Sequence, residues 1–184
     1  METNVYGNSG GVNSGFLARL WLIPIDEVLG VLDPELFSSG EAFTVPASGL
    51  PTTEEAEVSR LNFPAGGGSF EEILTRGAEG PVYTMTIEAM LPKNETDLLA
   101  FLHRNQARRW LAICEDRNGG VFVSGEPGRG LDLFLTRAIV ETSSIRISLS
   151  GRSWHPAFRL EDADLETLLP YSRITYQTDY KNYL

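Results

Sequence analysis

Two histidines and one cysteine are the side chains of this 184-residue sequence best suited to acid–base or nucleophilic chemistry. His103 and His155 lie far apart, and no patterned carboxylate or nucleophile accompanies either of them. A catalytic histidine needs such partners within hydrogen-bond reach. Cys114 lies in an apolar run, where a free cysteine usually acts as a small buried hydrophobe. We therefore predict no catalytic residues, and a small hydrolase that uses His155 with nearby acids stays an alternative.

Three other groups of residues resemble functional motifs without meeting their spacing. Glu115 and Asp116 are neighbours in a predicted strand, so their side chains point to opposite faces and cannot converge. Asp116 is instead expected to bond amides of the following turn. The run 125–130 is glycine-rich, but it lacks the lysine of a phosphate-binding loop and precedes a strand. The acidic residues at 161, 162, 164 and 166 lack calcium-loop spacing, so we predict neither a metal nor a cofactor.

The composition limits the classes of partner. The formal net charge is −10 and the isoelectric point is about 4.7. Because affinity for a phosphate backbone comes from Lys and Arg, we expect that DNA could pass nearby but is not bound. The sequence shows no signal peptide and no apolar run of membrane-spanning length, which predicts a cytoplasmic protein with no membrane partner. A single cysteine suits a reducing compartment.

A hairpin over Arg109 to Gly125 is the strongest structural signal. Two apolar runs flank Asn118-Gly119, a dipeptide that tolerates the positive φ angles of a type I′ turn. A helix over about 94–106 precedes the hairpin and has one apolar stripe, which predicts that it packs on a sheet.

The fold class predicted from these elements is β-rich α+β. We expect an antiparallel β-sandwich or partly closed barrel, with the helix at about 94–106 packed on the sheet. The domains are a flexible N-terminal arm at 1–15, a single β-rich domain at 16–170 with a long loop at 38–53, and a C-terminal tail at 171–184. The other predicted strands are 16–24, 54–63, 69–76, 82–90, 131–140, 144–151 and 154–160, with strand potential at 174–177.

The predicted core follows the apolar faces of these elements. One subunit contact is also predicted: it comprises the turn residues Asn118 and Gly119, with Phe16, Trp21 and Ile23 of the first strand. The predicted core positions are Leu20, Leu22, Tyr83, Met85, Ile87, Leu98, Phe101, Leu102, Trp110, Ala112, Val121, Val123, Leu133, Leu135, Ile145, Ile147 and Leu149.

The stretch 82–160 resembles a group of phage and prophage virion structural proteins. The residues that carry the resemblance are Trp110 to Gly125, with its Glu-Asp-x-Asn-Gly turn, and Ile145 to Phe158, which ends in Pro-Ala-Phe. The chain is most similar to tail-tube-like tail proteins, in which two packed antiparallel sheets flanked by a helix assemble into rings.

This resemblance implies a non-enzymatic subunit that self-assembles into rings. Its partners would be copies of itself or other phage structural proteins, and it would be cytoplasmic during assembly and then part of the virion. The alternative of a different class is a monomeric adaptor, or a head–tail or tail assembly factor, that binds one protein partner.

Overall fold

The structure is a computed structural model that describes residues 15–30, 43–46, 50, 52–53, 56–63, 66–78, 80–91, 96–139, 143–161, 165 and 172–176. Nearly all of the N-terminal arm expected at 1–15, and most of the tail expected at 171–184, lie outside these residues. Within them the structure has one α-helix and eleven strands. They are β1 Leu17–Pro24, β2 Thr44–Pro46, β3 Val58–Asn62, β4 Gly68–Gly77, β5 Gly80–Leu91, α1 Thr96–Asn105, β6 Arg109–Asp116, β7 Val121–Ser124, β8 Leu131–Ile139, β9 Ser143–Ser153, β10 Phe158–Glu161 and β11 Ser172–Tyr176.

The strands form one branched sheet that does not close into a barrel. Its main path runs β11-β3-β1-β6-β8-β9-β5-β4, and a side branch runs from β6 through β7 and β10 to β2. The prediction of a β-rich α+β fold is confirmed. The expectation of a purely antiparallel sheet is wrong, because β2 runs parallel to β10 and β3 runs parallel to β11. Strand β2 lies inside the stretch expected to be a long loop at 38–53.

Strands β1 and β6 form the centre of the molecule because both of their faces are buried. Near-continuous apolar runs are typical of strands covered on both sides. The structure has two apolar cores, one on each face of this pair. The first core includes Leu20 and Leu22 of β1 and the inward residues of β5, β8 and β9. The second includes Trp21 and Ile23 of β1 and apolar residues of β7 and β10.

Helix α1 covers part of the first core, as its apolar stripe predicted. Phe101 and Leu102 are buried there, and the Phe101 ring lies 6.0 Å from the Trp110 ring, centroid to centroid. The chain enters β6 only four residues after the helix ends, at Arg109. Arg108 in this connection forms ion pairs with Asp26, at 3.3 Å, and with Glu57, at 3.6 Å, so it ties the helix end to the turn after β1.

The turn between β6 and β7 is tight but is not the type I′ turn that we expected. A type I′ turn requires positive φ at both central residues, whereas only Gly119 has one, at +84°. The Gly119 N–H donates to the Asp116 carbonyl oxygen, which is typical of a type I turn followed by a left-handed glycine. The Asp116 carboxylate accepts from the amides of Asn118, at 2.8 Å, and Gly120, at 2.7 Å, as predicted.

Burial matches the predicted core with two exceptions among the described side chains. Tyr83 is half-buried rather than buried, and Leu135 is 43% exposed. Both face the same side as the core, but Tyr83 lies near the start of β5, and Leu135 lies on β8 beyond the two residues that pair with β6. The side chain of Leu98 lies outside the described residues.

Among the described glycines, Gly125 is the one that tolerates a side chain least. Its φ is +93°, and an added Cβ would lie 2.5 Å from the Trp110 carbonyl oxygen. Gly119 also has positive φ but faces open space. We predict that Gly125→Ala lowers the free energy of unfolding by about 3 kcal/mol, against about 1 kcal/mol for Gly119→Ala. Urea denaturation of both variants measures this difference, and equal losses would contradict it.

Candidate assembly interface

The residues predicted as a subunit contact separate into two places. Phe16 is 56% exposed and lies beside the β6–β7 turn, because the Arg117 N–H donates to the Phe16 carbonyl oxygen at 3.3 Å. Asn118 and Gly119 are exposed at that same turn. Trp21 and Ile23 are instead buried in the second core of this chain, so their side chains are not accessible to another subunit.

The histidines and the cysteine also lie apart. His103 is exposed on α1, and Cys114 is fully buried in the first core. The His155 ring contacts two acceptors, the Pro156 carbonyl oxygen at 2.8 Å from Nδ1 and the Glu126 carboxylate at 3.3 Å from Nε2. The contact with Glu126 holds the loop 154–157 against the turn after β7.

The structure reveals a different candidate surface, on the part of the sheet that we call the four-stranded arm: β8, β9, β5 and β4. All three internal pairings are antiparallel. Strand β8 pairs with β6 only at Leu131 and Asp132, because β6 begins at Arg109 while β8 continues past that point. From 133 to 139, one edge of β8 has no strand neighbour in the described part of the chain.

The opposite edge of the arm is open as well. Strand β4 pairs only with β5 among the described strands. Its first residue, Gly68, packs against Phe63 and Leu17, but most of the strand beyond it is exposed. Unpaired strand edges expose rows of N–H and C=O groups that can pair with another chain.

Large apolar side chains are exposed along both open edges. On β4 they are Ile73 and Leu74, each 48% exposed, and on β8 they are Phe134 at 55% and Leu135 at 43%. Exposed apolar residues grouped on strand edges mark interaction surfaces. Sequence reasoning missed them, although each strand contains two adjacent apolar residues that break its alternation. In such a pair, one side chain must face away from the core.

The face of the arm opposite the core, which we call the polar face, is rich in hydroxyl groups and nearly neutral. The strand register places Thr86 and Ser150 between Glu71 and Asp132 in one cross-strand row. The charged side chains that the register assigns to this face are three carboxylates and two arginines, namely Glu71, Glu88, Asp132, Arg146 and Arg152. The arm therefore does not share the strong negative charge of the whole chain.

Two features are absent from the described residues. No helix among them is long and apolar enough to cross a membrane. They also contain no group of three or more His, Cys, Asp or Glu side chains arranged to hold a metal ion.

No family model, curated protein or solved structure matches the chain.

Cys114 is expected to be chemically inert in the folded protein. It is fully buried, and burial raises the pKa of its thiol far above the ordinary value, so the reactive thiolate is scarce near neutral pH. We predict that a thiol reagent such as DTNB at pH 8 labels the native chain at least about a hundredfold more slowly than the urea-unfolded chain. Because the chain has one cysteine, the whole signal reports this thiol, and fast native labelling would contradict its burial.

Proposed function

We propose that this protein is a non-enzymatic structural subunit that self-assembles into rings, as a tube-like tail component of a phage or prophage particle. The observation that carries the proposal is the four-stranded arm, which has two open edges with exposed apolar side chains on each. The resemblance of 82–160 to virion tail proteins supports the phage assignment. On this proposal the subunit assembles in the cytoplasm and ends in the virion.

The directions of the strands make ring formation geometrically simple. Because β8, β9, β5 and β4 alternate in direction, β4 of one copy would lie antiparallel to β8 of the next copy. The strand pairing between the two copies is therefore antiparallel, as are the pairings inside the arm. A head-to-tail contact of this kind joins two different surfaces, and it closes into a ring when the rotation between copies permits.

One register between the two edges brings complementary side chains together. When Leu74 of β4 lies opposite Leu135 of β8, antiparallel pairing places Glu72 opposite Arg137. These four side chains point to the same side of the sheet, as the pairing within the arm shows. Glu72 is already oriented, since its carboxylate accepts the Ala157 N–H at 2.6 Å. An apolar pair beside an opposite-charge pair stabilises cross-strand pairing.

The polar face also suits a ring around a passing polymer. The first core lies on the other side of the arm, which leaves the polar face in contact with solvent. A hydroxyl-rich face with mixed charges offers DNA phosphates no continuous row of cations. Such a face could line a channel through which DNA passes without being bound.

Lysine at the β8 edge tests assembly directly. We predict that Leu135→Lys raises the protein concentration needed for assembly at least about tenfold, because a charge on an edge strand opposes edge-to-edge pairing. Sedimentation velocity and negative-stain microscopy of the full chain measure the effect. Leu29→Lys is the matched control, since Leu29 is 71% exposed but lies on the turn after β1. A wild-type chain that stays monomeric at hundreds of micromolar would overturn the proposal.

The charge pair tests the register. We predict that Arg137→Glu weakens assembly about tenfold, because two carboxylates would then face each other across the new strand pair. Adding Glu72→Gln should recover part of the loss, since glutamine removes one charge and keeps an oxygen that can accept the Ala157 amide. Assembly measured by sedimentation is compared at low and high salt. Equal assembly of Arg137→Glu and wild type would exclude this register.

The open edge of β8 also favours a second candidate function. An adaptor could accept an extended segment of one protein partner on this edge, with Phe134 filling a gap between the segment's side chains. Such an adaptor would be monomeric alone, so the sedimentation experiment separates it from the ring subunit.

A further inference from the structure

A groove at one end of the polar face gathers three arginines in this acidic protein. One half of the groove has a volume of about 430 Å³, and its lining includes Arg109, Arg129 and Arg152 with the hydroxyls of Thr84 and Ser150. Asp132 also lines this half and accepts a hydrogen bond from Arg109 Nε at 3.1 Å. Three guanidinium groups and one carboxylate give the groove a local charge of about +2, against −10 for the chain.

Glycines contribute to the lining of this half of the groove. Its lining includes Gly128, Gly130 and Gly151, so part of its floor is main chain that carries no side chain. A Cβ at Gly130 would lie 2.7 Å from the Arg109 Cβ, and one at Gly151 would lie 2.6 Å from Leu131. The glycine-rich run 125–130 is not a Walker phosphate loop, yet it brings Arg129 alongside two other arginines.

The other half of the groove is aromatic and apolar. It has a volume of about 330 Å³, and Val82, Ser153 and Trp154 line it together with Arg129 and Arg152, which both halves share. The Arg129 guanidinium lies 4.7 Å from the Trp154 ring centroid. Trp154 is 49% exposed, whereas Trp21 and Trp110 are each 1% exposed. A half-exposed tryptophan beside arginines offers a flat ligand a surface on which to stack.

We propose that this groove binds a nucleoside diphosphate or triphosphate, with its planar base in the Trp154 half and its phosphates in the arginine half. Arginine matches phosphate because its planar donors form charge-assisted, often bidentate hydrogen bonds. The side chain of Arg152 is exposed and lines both halves of the groove, so it can contact the base and the phosphates of one ligand. The two volumes suit a ligand of this size.

The charge of the whole molecule favours a single nucleotide over a long nucleic acid. A strand that extended beyond the groove would meet a chain with a net charge of −10, which repels it. The inference does not depend on the assembly proposal. The edge residues Leu74, Leu135 and Arg137 do not line the groove, so Leu135→Lys should assemble poorly and still bind nucleotide.

Tryptophan fluorescence provides a direct test with ADP as the probe. Trp154 is the exposed tryptophan of the three, so a base stacked on it should quench emission saturably. Isothermal titration calorimetry of the same full chain gives the affinity. We expect Arg152→Gln to weaken ADP binding about tenfold or more. Asp132→Asn should increase the affinity for ADP several fold, because the substitution removes the carboxylate among the residues that line the groove. Trp154→Phe should abolish the quenching.

Matched controls separate this site from general anion binding. Arg146→Gln changes another arginine of β9 that does not line the groove, so its affinity for ADP should equal that of wild type. Pyrophosphate should bind more weakly than ADP without quenching Trp154. The proposal is overturned if ADP shows no saturable binding up to about 1 mM, if Arg146→Gln weakens binding as much as Arg152→Gln, or if a dT10 oligonucleotide binds more tightly than ADP.

Discussion

Strands β1 and β6 are buried on both faces, and the two apolar cores form on either side of them. Alternate residues of the same strands, such as Leu111 and Ala112, enter opposite cores, so each core is formed only when this strand pair is in register. A slip of one residue would exchange the two sets of side chains and disrupt both cores. The helix, the side branch and the four-stranded arm are all attached to this pair.

The position where β6 begins also determines what the surface offers. The chain leaves helix α1 and becomes a strand only at Arg109, so β8 pairs with β6 over its first two residues and then continues beyond it. The same connection that places the helix over the first core therefore leaves the β8 edge open. In this way a local requirement, covering an apolar core, produces an edge suited to assembly.

The two proposed surfaces occupy different parts of the same arm and use different physics. The open edges offer backbone hydrogen bonds and partly exposed apolar side chains, which suit another copy of the chain. The groove offers concentrated positive charge beside an aromatic ring, which suits a small phosphorylated ligand. The two surfaces meet at β8, because Asp132 of the groove belongs to the strand that carries the open edge.

The amino-acid sequence alone predicted the strand pattern, the main helix and the tight hairpin, because alternation, capping and turn residues act over short distances. It also determined most of the first core, from Leu20 to Leu149. The complete fold set which strands are neighbours. This arrangement placed β2 and β11 in parallel pairs and left Leu135 exposed. It also decided that Trp21 and Ile23 are core residues, and that Arg109, Arg129 and Arg152 meet. The physical reason is that these outcomes depend on contacts between residues far apart in the chain, which periodicity does not encode.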